Sequence, residues 1–157
     1  MFKLKHLPMR VIVTIYYAYV YCIINYGLTI WGEAYKSELT QLEKLHGRIL
    51  QVVKDNDIPT VRELYVVNCI MFHYAHLSYS YENSCSKTRT KCLPLPSHKK
   101  TIYVKNSLYT AIKYFNWLRN SYKDLQWSAK IIKKKMLCYF RQNNNLMLCT
   151  VLLFKNV

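Results

Sequence analysis

A chain of 157 residues has room for one core of ordinary size and argues against two independent domains. Its 23 Lys and Arg against 8 Asp and Glu give a formal net charge of +15, which points to an acidic partner, either nucleic acid or an anionic membrane surface. Three Gly and four Pro beside fifteen Tyr are too few turn-formers for a sheet sandwich and favour long helices.

In chain order, Pro8 to Trp31 is the first predicted helix, with Pro at its start and Gly32 at its close. Ile12, Ile15, Tyr19, Ile23, Tyr26 and Ile30 recur at steps of three and four, and Val11 to Gly32 carries no charge. A helix apolar all round is buried in a larger protein or spans a membrane. Length and the basic flank of Lys3, Lys5 and Arg10 suit a membrane anchor over residues 11–32. Against it, Tyr16, Tyr17, Tyr19, Tyr21 and Tyr26 are spread along the segment instead of gathering at its ends, and Asn25 lies within it. The core reading is therefore preferred over the membrane, with an intracellular location, cytoplasmic or nuclear. No short apolar core with a small-residue cleavage site marks a signal peptide.

Ser37 to Val53 follows as an amphipathic helix with Leu39, Leu42, Leu45, Ile49, Val52 and Val53 on one face, and Ser37, or Thr40 with Glu43, can cap it. "DNDIPT" breaks the chain, and Thr60 with Glu63 forms a capping-box pair opening a third helix from about Val61 to Tyr81. Glu82 to Thr101 is expected to be an exposed basic loop, because Leu93-Pro94-Leu95-Pro96 cannot continue a helix. Tyr103 to Leu118 is rich in aromatics, and Ser128 to Phe140 is predicted as a short basic amphipathic helix before an apolar end. Residues 84 to 141 hold fourteen Lys or Arg and one acid, Asp124, so the partner-facing half is the C-terminal one.

Chemical constellations are sparse. The six cysteines lack paired close spacing, which suits reduced thiols, and Cys85, Cys92 and His98 are poorly spaced for zinc. His73 and His76 stand at i and i+3 without the intervening Glu of a zinc protease, and Asp55 and Asp57 are expected to be turn formers. With no Gly-rich phosphate loop or nucleophile elbow, neither a cofactor nor a metal is expected. Basic side chains interleaved with aromatics suit a nucleic-acid surface, with cations neutralising phosphates and rings stacking on unpaired bases. Its candidates are Lys87, Arg89, Lys91, Lys99, Lys100 and Lys105, with Lys133, Lys134 and Lys135 on the last helix.

The order of motifs carries a resemblance. A Tyr-rich helix runs into Tyr26-Gly27 and Trp31-Gly32, then into a helix with Leu39, Leu42, Leu45 and Arg48. "IPTVRELY", "TRTKCLPLPSHKKT", "SLYTAIKYFNWLRNS" and "AKIIKKKMLCYF" follow in that order. Over about residues 7 to 140 this resembles the region after the polymerase core of jockey-type non-LTR retrotransposon reverse transcriptases. In that comparison Tyr16, Cys22 and Asn25 also match, His46 replaces a usual Gln, Phe115-Asn116 stands for Trp-Asn, Leu118-Arg119 for Leu-Pro, and Ile131 or Ile132 for a Phe.

The resemblance implies RNA-directed DNA polymerase ancestry, an RNA or DNA template or primer as partner, and an upstream polymerase domain that this sequence lacks. Polymerisation in that family depends on palm aspartates holding two metal ions. This chain has only Asp55, Asp57 and Asp124, so no activity is expected from it alone. The unmatched "RQNNNLMLCTVLLFKNV" suggests a degenerate or truncated copy reading past the normal stop. The expected organisation is mainly α, a bundle-like helical fragment with a basic loop in the middle. It comprises a post-palm, thumb-like segment (7–82), the basic loop (83–101), a basic aromatic segment (102–140) and an apolar tail (141–157). The rival readings are a small basic membrane protein anchored by residues 11–32 and a stand-alone helical nucleic-acid-binding module.

Overall fold

The computed structural model describes residues 7–33, 36–53, 58–84, 92–97, 106–122 and 128–142. Among them the secondary structure is helical, with no strand, as the composition predicts. The chain divides into two compact units, residues 1–65 and 66–157, where a single core was expected.

In the first unit, Pro8 caps α1 (Met9–Ile15), whose first amides turn back to the Pro8 carbonyl. A π-helical turn (Tyr16–Tyr21) and α2 (Cys22–Asn25) continue it. Ile12, Tyr16 and Ile24 are buried and Val20 is half-buried, a strict four-residue step. A four-residue step overshoots the 3.6-residue α-helical turn by about 40°. The wider i→i+5 winding of the π turn compensates, so residues four apart stay on one face. That shift corrects the expected stripe: of Ile12, Ile15, Tyr19, Ile23, Tyr26 and Ile30, only Ile12 is buried.

The expected single helix to Trp31 also breaks. Tyr26 is extended and Gly27 is left-handed with φ 63°, a conformation that favours glycine, before α3 (Leu28–Trp31) restarts. The Trp31 indole N–H closes this turn on the Tyr26 carbonyl at 2.8 Å. Gly32 closes α3 as expected, its amide donating to the Leu28 carbonyl at 2.8 Å, but in a right-handed conformation that does not itself call for glycine; close packing does. A Cβ there would run into the Tyr65 ring and stand 2.6 Å from the Leu28 carbonyl oxygen.

α4 (Lys36–Val53) begins at Lys36, so Ser37 and Thr40 lie inside the helix and do not cap it from outside. Of its expected face, Val53 is buried and Ile49 packs beside it, but two members turn outward and an unpredicted residue turns inward. Leu45 and Val52 are exposed, while His46 and Val53 are buried. Ile12, Tyr16, Val53 and Ile58 form the core of this unit, supported by Val13, Val20, Tyr21, Ile49 and Leu50.

α5 (Val61–Ser84) opens with the predicted capping box: the Thr60 amide donates to Glu63 Oε2 at 2.7 Å, and the Glu63 amide to Thr60 Oγ1 at 3.4 Å. The Glu63 carboxylate is buried and held by this cap. Arg62 Nε donates to Glu43 on α4. The boundary between the units falls inside α5, after Tyr65.

In the second unit, α6 (Ser107–Ser121) starts at Asn106, whose side-chain oxygen accepts from the Leu108 amide at 2.9 Å. Ala111, Ile112, Phe115 and Leu118 of α6, Ile70 and Leu77 of α5, and Ile132, Met136 and Phe140 of α7 (Ala129–Gln142) are buried. Apart from Ala111, burying each such side chain is worth about 1.5–3 kcal/mol. The region expected to be a wholly exposed loop contains an anchored piece. Leu93 is buried, its amide donates to Asn116 Oδ1 at 2.9 Å, and its carbonyl accepts from Asn116 Nδ2 at 2.8 Å. Leu95 and its two flanking prolines remain exposed.

Candidate nucleic-acid interface

α7 is the described element that bears the densest basic run. Ser128 opens it, accepting from the Ile131 amide through Oγ at 3.4 Å and from the Ile132 amide through its carbonyl at 3.0 Å. Ile132, Met136 and Phe140 are spaced by four and buried, which fixes the rotation of the helix. Lys130, Lys133 and Lys134 are consequently exposed. Their spacings of three and four put them on neighbouring positions of one face, with Cβ atoms about 5–6 Å apart.

Of the lysines named from the sequence, Lys133 and Lys134 are exposed, and Lys130 is exposed with them. The run "KKK" drew attention to itself, but Lys130 was detectable by its i, i+3, i+4 relation to the other two. Lys135 differs: it is half-buried, and its Nζ lies 5.3 Å from the centre of the Tyr122 ring, a cation–π contact within the unit. Lys87, Arg89, Lys91, Lys99, Lys100 and Lys105 lie outside the described residues, as do Cys85, His98, Asp55, Asp57 and Asp124.

The aromatic partners of this basic half are largely engaged with one another. Trp117 and Tyr139 meet with ring centroids 4.4 Å apart, and Tyr81 meets Phe115 edge-on at 6.3 Å. The Arg119 guanidinium lies 3.4 Å from the Tyr81 ring centre and 5.5 Å from that of Phe115, so this cation is also spent inside the unit. Among the described residues of this unit, Phe72 and Tyr79 on α5 are exposed rings, seven residues apart on one helix face. Sequence reasoning missed both because they sit in a segment with little charge.

Two histidines have hydrogen-bonded partners. His73 Nε2 lies 3.1 Å from Ser107 Oγ, and burial, with His76 adding to it, holds the His73 imidazole below its ordinary pKa. In the first unit the Tyr16 hydroxyl lies 2.8 Å from His46 Nε2, both side chains buried. Burial lowers the pKa of His46 and, with Tyr17 and Tyr21 nearby, raises that of Tyr16, so both stay neutral. Among the described residues no three His, Cys, Asp or Glu side chains are grouped to hold a metal ion. Among the described residues Cys22, Cys69, Cys92 and Cys138 form no disulfide; Cys69 is fully buried, while Cys22 and Cys138 are exposed.

No helix among the described residues is long and apolar enough to cross a membrane. Comparison with protein-family models, curated proteins and solved structures finds no match to this chain.

Proposed function

We propose that this chain is a sequence-independent nucleic-acid-binding remnant of the post-palm region of a non-LTR retrotransposon reverse transcriptase, without polymerase activity of its own. The observation that carries the binding reading is the bare lysine face of α7. Lys130 and Lys134 are exposed away from the buried stripe and Lys133 at its edge, and the stripe fixes their direction. Three ammonium groups on one rigid face neutralise neighbouring phosphates and read no base edge, which is the signature of backbone binding. The order of motifs supports the ancestry, and the template or primer of the ancestral enzyme supplies the class of partner: RNA or DNA. An intracellular site, cytoplasmic or nuclear, goes with that partner.

The test is the anisotropy of labelled RNA and DNA oligonucleotides of mixed sequence, titrated with the full chain at salt from about 50 to about 200 mM. Affinity is expected to fall steeply and equally across sequences. Converting Lys130, Lys133 and Lys134 to Ala is expected to reduce the slope of log K against log salt by about 0.7–0.9 per lysine. Binding that ignores salt, or none at low salt, refutes the reading. For the ancestry, translating the genomic DNA upstream of the Met1 codon decides: a palm with paired aspartates supports it, and an ordinary promoter without polymerase remnants removes its main support.

A further inference from the structure

The least expected surface in the molecule is apolar. Val11 (41% exposed), Ile15 (38%), Tyr19 (68%) and Ile23 (73%) are spaced by four along the first helix, in the same register that keeps the buried face aligned. They form one ridge beside that face. Tyr26 (85%) and Ile30 (87%) follow on the turn and α3. Taking about 150–250 Å² for a tyrosine and less for Val or Ile, the four ridge residues expose roughly 400 Å². The largest apolar patch on a typical monomer is about 300–600 Å².

We infer that this ridge is a self-association surface, on which a second copy of this chain docks. Three observations select that occupant. The ridge alone supplies about half of the ~800 Å² that each partner contributes to a standard stable interface. Two chains of charge +15 repel wherever their charges meet, and residues 11–32 are the longest stretch of the chain without a formal charge. A face-to-face contact there brings no like charges of that stretch together. The shape is also self-complementary: an i±4n ridge interdigitates with an identical one at about −50°, the commonest helix crossing, and a two-fold axis applies the same ridge to both partners. The inference is independent of nucleic-acid binding, which concerns residues of the other unit.

Sedimentation velocity of the full chain over a concentration series tests it. The expected result is a transition from 18.8 kDa to twice that mass as concentration rises. Tyr19→Asp with Ile23→Asp places carboxylates at the centre of the ridge and is expected to weaken dimerisation at least tenfold. Leu45→Asp, at an exposed apolar site on α4, is expected to leave it unchanged. Should the double variant lose helicity by circular dichroism, Ile23→Ser takes its place with the same direction of effect. A chain that stays monomeric at every concentration overturns the inference. So does a dimer indifferent to the ridge substitutions, or a ridge that binds phospholipid vesicles while the protein remains monomeric.

Discussion

The Tyr16–His46 pair shows how a single contact ties the first helix to α4. At 2.8 Å, either the phenol donates to a bare Nε2 or Nε2–H donates to the phenol oxygen, and it is burial that favours the neutral imidazole. Tyr16→Phe leaves a buried ring nitrogen without its partner and is expected to cost about 1–3 kcal/mol in urea unfolding. Tyr16→Phe with His46→Leu removes both polar groups and is expected to cost less than the single change, because no buried group is then left unsatisfied. The pH dependence has a definite sign. Burial lowers the folded-state pKa of His46 below 6.5, so between the two values the unfolded chain binds a proton that the folded chain refuses. This contribution to stability is complete above about pH 6.5 and is lost as the pH falls through the folded-state value. The double variant should therefore show a shallower fall of the unfolding midpoint below pH 6.5; an unchanged slope would assign the dependence elsewhere, half-buried His73 being the next candidate.

At the scale of elements, the Asn116 carboxamide acts as a clamp, offering one acceptor and one donor to the backbone of a residue 23 positions away. Asn116→Ala orphans the amide and carbonyl of buried Leu93 and is expected to destabilise the chain by about 1–3 kcal/mol. It should also speed hydrogen exchange at the Leu93 amide more than at amides within α6; equal acceleration would mean that α6 itself had been damaged. Nothing local in "KCLPLPS" announces this clamp, since its partner is distant in sequence, and the same holds for Arg119 between Tyr81 and Phe115. The Thr60–Glu63 cap and the Ile132, Met136, Phe140 stripe were legible, because both depend on spacings within one helix. The face of the first helix was not. A reading at 3.6 residues per turn picked the stripe through Tyr19 and Ile23, and the π turn rotated that stripe to the surface. Helix type was thus readable from periodicity, while helix phase depended on a winding defect that periodicity alone does not disclose.

Across the whole molecule the charge is divided as unevenly as the structure is. Residues 1–65 carry eight Lys or Arg against six Asp or Glu, whereas residues 66–157 carry fifteen against two. In α7 the surplus is local: Lys130 and Lys134 are an i,i+4 like-charge pair and Lys130 and Lys133 an i,i+3 pair, each costing about 0.2–0.5 kcal/mol when unscreened. Salt shortens the Debye length to about 10 Å at 0.1 M and relieves this repulsion. Bound phosphates relieve it as well, but salt displaces them. One titration therefore has opposite expected effects on one helix. In the free chain, hydrogen-exchange protection of α7 should rise with added salt while that of α4, in the nearly balanced unit, changes little. With saturating oligonucleotide the protection of α7 should begin higher, because a ligand of the folded state stabilises it by mass action, and then fall as salt releases the ligand. Convergence of the two curves at high salt would identify phosphate contact as the source of the difference. Protection in α4 that tracks α7 in both titrations would instead show a general salt effect, and the lysine face would lose its claim to the nucleic acid.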